Sequence, residues 1–250
     1  MRKELIASLS MLGSLAASGA AAAQTCATPP SCETLGFTKS ETDCEGLEAL
    51  KCTFDQSKLY CPQGGGNMSA AAPGAILYSD GTISDSVIAS KTPVGIVAYV
   101  NGSTGFAVAL TESNQTWGGY GYNVSCLGDM DSGAASADMN GRVNTQCLVS
   151  DSQTHPAANY CNTFSAVSSG KGSSGWYLPA AGELKAMSYS YGAINLGLQK
   201  LSKTQISSSY YWSSSEYSYG AWVVRPSGGS MGYYDNGKNN SLPVRCVLAF

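Results

Sequence analysis

Apolar side chains in this chain fall in short runs, and their spacing changes along the sequence. From Gly74 the pattern is that of strands: Ala75 to Tyr78, Val94 to Asn101 and Gly105 to Thr111 are apolar or β-branched, with Asp80-Gly81 and Asn101-Gly102 as turn signals. A helical period follows. Pro156 to Ser165 carries Tyr160 and Phe164 four positions apart, and Ala181 to about Lys203, broken near Tyr191-Gly192, places Leu184, Met187, Ile194, Leu198 and Leu201 on an inward face. Strands return at Tyr210 to Ser213, Ala221 to Arg225, Met231 to Tyr234 and Val244 to Ala249, between Ser- and Gly-rich turns. Strands, two helices, then strands predict an α+β domain over residues 75–250.

The other apolar run, Leu5 to Ala23, follows Arg2 and Lys3, is diluted with Ala, Ser and Gly, and ends in small side chains. It predicts a secretory signal over 1–23, a mature start near Gln24 and no membrane span in the mature form, hence a secreted, periplasmic or cell-surface location. Residues 24–63 hold Cys26, Cys32, Cys44, Cys52 and Cys61 among few large apolar side chains, which predicts a small module stapled by disulfides. The glycine- and alanine-rich stretch 64–74 is the expected linker.

Export changes the reading of the cysteines, because an oxidising compartment favours pairing. Their number is nine, so one is left over, and Cys26 is the candidate. Cys126 and Cys147 bracket a stretch rich in Gly, Ser, Asp and Asn with no apolar period, a loop that a disulfide would hold, and they are expected to pair. No CxxC pair occurs and the single histidine, His155, is remote from the module, so no metal or other cofactor is expected. The formal charge is −3; loss of the signal takes 14 basic and 17 acidic residues to 12 and 16, leaving −4 and no basic surplus for nucleic acid.

Three motifs in order carry a resemblance. Gly175-Trp176-Tyr177-Leu178-Pro179-Ala180-Ala181-Gly182-Glu183-Leu184, then Tyr211-Trp212-Ser213-Ser214-Ser215-Glu216, then the ending Val244-Arg245-Cys246-Val247-Leu248-Ala249-Phe250 resemble the bacterial Lcl C-terminal domain family. That family overlaps the major paralogous domain and is similar to C-type-lectin folds. The resemblance implies a C-type-lectin-like domain, a mixed sheet with two helices. It also implies a bridge from a helix cysteine, Cys161, to the last strand, at Cys246, and a final strand in the sheet centre. Pro179 is expected to set a rigid helix entry, and Trp176 and Trp212 to be core or shelf residues. The calcium-binding triplets of sugar-binding C-type lectins, Glu-Pro-Asn or Gln-Pro-Asp and Trp-Asn-Asp, are absent, so the likeness does not imply calcium-dependent sugar binding.

Several motifs suggest chemistry and give way to simpler readings. Gly228-Gly229-Ser230-Met231-Gly232 fits a nucleophile elbow, but an α/β-hydrolase needs its histidine after that serine, and His155 precedes it; a hairpin is expected. Gly170 to Gly175 fits a dinucleotide pattern but precedes Trp176-Tyr177 instead of opening a helix, so it is a loop. Asp129 and Asp131 suggest a calcium loop whose register then fails at Ala134 and Asn140. His155 and Asp151 are expected to form a polar surface pair. The chain is therefore expected not to be an enzyme.

From Ser207 to Ser241 most residues are Ser, Tyr, Gly, Asn or Asp. Tyrosine offers rigid contact area at low entropic cost, and Ser, Gly and Asn adapt their hydrogen bonds, as in antibody paratopes. The candidate contact residues are Tyr210, Ser215, Tyr217, Ser218, Tyr219, Ser230, Tyr233, Tyr234, Asp235, Asn236, Asn239 and Asn240. The stretch also resembles the variable region of retroelement-diversified proteins; the alternative, which is preferred, is that the family simply favours such residues in exposed strands and loops. The expected function is ligand binding or adhesion through this face, with a glycan or cell-surface protein as partner. The alternatives are an envelope protein that self-associates and an exported hydrolase.

Overall fold

The structure is a computed structural model that describes residues 71–234 and 237–250, within the compact unit Ala70–Phe250. The expected signal and cysteine-rich module, most of the expected linker, and Asp235 and Asn236 lie outside the described residues, as does the side chain of Tyr234. Two disulfides, Cys126–Cys147 and Cys161–Cys246, are formed.

The strands are β1 (Ile76–Tyr78), β2 (Ile83–Ser84), β3 (Pro93–Asn101), β4 (Thr104–Ala109), β5 (Ser113–Gln115), β6 (Trp176–Tyr177), β7 (Tyr211–Tyr217), β8 (Gly220–Arg225), β9 (Ser230–Tyr234), β10 (Leu242–Val244) and β11 (Val247–Ala249). The helices are α1 (Ser132–Ala137), α2 (Gly141–Ser150), α3 (Pro156–Thr163), α4 (Ala181–Ser188) and α5 (Tyr191–Lys200). A six-stranded sheet has the order β2-β1-β3-β4-β11-β6, a three-stranded sheet the order β7-β8-β9, and β5 pairs with β10; all pairings are antiparallel. This is an α+β architecture. No described helix is long and apolar enough to cross a membrane.

The large sheet is buried on both faces, so its strands are apolar at successive positions. On one face Ile76, Ile96, Phe106, Val108 and Val247 pack with Leu184 and Met187 of α4, Ile194 and Leu198 of α5, and Trp222 and Val224 of β8. On the other, Leu77, Val94, Ala107, Ala109, Trp176 and Leu248 pack with Ala157, Ala158 and Cys161 of α3 and with Trp117, Trp212, Ala221 and Val223. The final strand β11 lies between β4 and β6, and Cys161–Cys246 ties α3 to the residue before it, with Cα atoms 5.3 Å apart.

Four expectations need correction. The sheet, expected to be mixed, is antiparallel at every pairing among the described strands. The stretch between Cys126 and Cys147 is not a plain loop, because α1 and most of α2 lie within it. Its helices bury small and polar side chains, Ala135, Asn144 and Thr145, so no apolar stripe marks them. Hence more than two helices form. Gly74, assigned to the linker, is tied to the sheet: its N–H donates to Val97 O, and a Cβ there would lie 2.8 Å from Ala193 O.

Candidate binding face

The strand β7 runs Tyr-Trp-Ser-Ser-Ser-Glu-Tyr, and every residue before Tyr217 is buried. Its pairing with β8 slips between Trp212 and Glu216, leaving the three serines outside the regular register. They turn to other partners. Ser213 Oγ donates to Trp222 O at 2.8 Å, Ser214 N–H to Pro179 O at 2.8 Å, and Ser215 Oγ to Asp138 Oδ2 at 2.6 Å, while Ala181 N–H donates to Ser215 Oγ at 2.9 Å. Ser215 is wholly buried and joins β7 to the start of α4, so it is withdrawn as a contact residue.

The same anchor holds a buried acid cluster. Glu183 Oε2 accepts from Ala180 N–H at 2.8 Å, and Oε1 accepts from Tyr177 OH at 3.0 Å. Burial pushes Glu183 up to about 7, with the Asp138 carboxylate adding to the rise. Asp138 in turn receives Asn144 Nδ2 at 2.8 Å.

On the other face of β7, Glu216 pairs with Lys238, both fully buried. Glu216 Oε2 accepts from Val124 N–H at 2.9 Å, Lys238 Nζ donates to Tyr122 O at 2.7 Å, and the ammonium lies 4.4 Å from the Trp117 ring centroid. Burial pushes Glu216 up to about 7 and Lys238 down, while their hydrogen bond opposes both shifts. This pair fastens the segment before Asn239 and Asn240, both exposed, to the loop 117–124. His155 is also wholly buried, 3.0 Å from Asp151 Oδ2 and edge-on to Trp117, so it is not a surface residue. Burial pushes its pKa down.

The candidate contact residues do not form one patch. Tyr217, Ser218, Tyr219 and Tyr233 gather at one end of the three-stranded sheet, where Tyr217 pairs with Gly220 across a tight hairpin and Tyr233 lies opposite Trp222. Ser218 has φ of 52°, and its N–H donates to Asp129 Oδ1 at 2.7 Å. Rings of Tyr217, Trp222 and Tyr233 form a cluster with centroids 5.1 to 6.2 Å apart. Trp222 is its buried floor, donating Nε1–H to Met130 O at 2.8 Å, while Tyr219 and Tyr233 are 58% and 45% exposed. Tyr210 is at the opposite end, roughly 20 Å away by strand rise, under the Arg225 guanidinium, and the exposed Ser230 pairs with Arg225 there.

Other motifs take structural places. Ser230 opens β9 just after the hairpin turn, Gly170 to Gly175 form the loop into β6, and Asp131 caps α1 by accepting from Ala134 N–H. The buried serines, the acid cluster and the Glu216–Lys238 pair escaped sequence reading. The signal available was Ser and Glu inside a strand flanked by Tyr211-Trp212, which can be buried only with partners.

No protein-family model matches the chain, and no curated protein matches it.

Proposed function

We propose that the protein is an exported, non-enzymatic binding protein of the C-type-lectin-like kind, acting outside the cytoplasm. Its ligand, a glycan or a cell-surface protein, meets the aromatic end of the three-stranded sheet. The observation that carries this reading is the pair Tyr217 and Tyr233, half-buried and exposed, over the buried Trp222, with the exposed Tyr219 in the adjoining hairpin turn. Rigid tyrosines give contact area without much entropy loss. The framework beneath supports the same role, because the buried hydrogen bonds of β7 and the Glu216–Lys238 pair fix the hairpin and the 239–240 loop. Plain family composition accounts for the Ser, Tyr and Asn content of this face; a neighbouring reverse-transcriptase gene with a near-copy of the 210–240 coding segment would assign it instead to retroelement-driven variation.

The test is binding of the mature protein to an array of glycans and purified cell-surface ectodomains. The reading expects retention of at least one probe, weakened at least about tenfold by Tyr233→Ala. No retention, or retention indifferent to that change, overturns it.

A second reading, an envelope protein that packs against its own copies, is favoured by one observation. The edge strand β9 pairs only with β8 among the described strands, and Ser230-Met231-Gly232-Tyr233-Tyr234 carries no charge or proline to discourage pairing. It expects sedimentation as a dimer or larger, reverting to monomer in Ser230→Lys.

A further inference from the structure

We infer that the aromatic end takes a cationic side chain, the guanidinium or ammonium of an arginine or lysine in an exposed basic segment of a partner protein. This rests on the proposed reading of that face and names the chemistry it selects. The rings of Tyr217 and Tyr233 lean on each other with centroids 5.1 Å apart, and the exposed Tyr219 lies in the turn that joins Tyr217 to Gly220. Aromatic rings attract a cation to their negative faces. Next to them runs the segment Asp129-Met130-Asp131, held by Ser218 N–H on Asp129 Oδ1, Met130 N–H on Glu216 O and Trp222 Nε1–H on Met130 O.

Asp129 and Asp131 are both exposed, and neither forms an ion pair with a described residue. Asp131 caps α1, and Asp129 Oδ1 also receives Asn123 Nδ2 at 3.2 Å; among the described residues nothing bonds Asp129 Oδ2. Basic side chains are committed elsewhere. Lys238 is buried against Glu216 and acts on Asp129 only through space, Arg225 covers Tyr210 at the far end, and Lys185 reaches Ser136 Oγ. Exposed rings and carboxylates side by side, with the nearby Lys238 buried and paired to Glu216 and no exposed cation bonded to them among the described residues, complement a positive charge and repel an anion. The chain's net charge of −3 acts in the same direction.

The probe is a short acetylated and amidated peptide of alternating glycine and arginine, compared with the same peptide carrying neutral citrulline, by amide chemical-shift titration of the mature protein. Expected are shifts at Ser218, Tyr219 and Tyr233, an affinity at least about fivefold higher for arginine than for citrulline, and weakening with added salt. Asp129→Asn should lower the affinity several-fold, Tyr233→Phe should keep it and Tyr233→Leu should lose it, with unshifted resonances elsewhere showing an intact fold. Equal affinity for the two peptides, or no shift at these residues, overturns the inference. If a neutral glycan shifts them where the arginine peptide does not, the cation assignment falls and the binding face stands. If Tyr233→Leu alters no array binding, the face itself falls.

Discussion

Glu216 and Lys238 lie wholly out of water, in a region whose sequence suggests an adaptable surface. Each charge is tolerable there only because of the other and of the backbone groups it meets, Val124 N–H and Tyr122 O. Lys238→Met alone or Glu216→Gln alone should therefore cost about 3–5 kcal/mol in urea unfolding. The double replacement Glu216→Leu with Lys238→Met should cost less than the two single losses together. Single losses below about 1 kcal/mol would show that the pair does not hold the loop. The buried Glu183 gives a pH signature. Its pKa stands above the ordinary 4.5, at about 7, so between these values the folded chain keeps a proton that the unfolded chain releases. The stabilisation is present in full below the ordinary value and is lost as pH rises through about 7. Stability should fall by on the order of 2 kcal/mol from pH 5 to pH 8, and Glu183→Gln, neutral throughout, should shrink that fall. An equal fall in the variant would assign the slope to other groups, among them Glu216, which shifts in the same direction.

The two disulfides serve different elements. Cys161–Cys246 is buried between α3 and the entrance to β11, within the core. Cys126 is exposed and Cys147 half-buried, and their bridge fastens to α2 the irregular segment that supplies Val124 N–H, Asp129 and Met130 to the aromatic end. Reduction by a dithiol needs access to a sulfur, so graded dithiothreitol followed by alkylation should label Cys126 and Cys147 before Cys161 and Cys246. Replacing Cys126 and Cys147 by serine should cost about 3 kcal/mol and speed amide exchange in residues 119–131 while β3, β4 and β11 stay protected. Labelling of all four together would mean that the segment does not open independently.

At the scale of the whole molecule, the α+β order was legible because apolar period and turn residues are local. Ile76 to Tyr78 and Ala221 to Val224 announce strands whatever surrounds them, and Leu184, Met187, Ile194 and Leu198 announce helices. The segment α1–α2 was not legible, because helices that bury Ala135, Asn144 and Thr145 owe their place to tertiary hydrogen bonds such as Leu178 N–H to Thr145 Oγ1 and Ser215 Oγ to Asp138. The candidate face was legible only as composition. Ser215 and Ser218 are the same residue type close together in sequence, yet one is buried against Asp138 and the other turns the exposed hairpin. A seven-residue strand likewise separates Tyr210 from Tyr217 although composition groups them.

A comparison between two exposed tyrosine regions tests the binding face most directly. Tyr189, 83% exposed at the end of α4, has the same chemistry as Tyr219 and Tyr233 but lies outside the aromatic cluster. Wild type, Tyr189→Ala and the double variant Tyr219→Ala with Tyr233→Ala should be measured at equal concentration on the glycan and ectodomain array, with melting temperatures taken in parallel. The account predicts binding by wild type and Tyr189→Ala, and loss of at least about tenfold in the double variant at an unchanged melting temperature. Equal binding by all three proteins, or loss with Tyr189→Ala alone, would contradict it.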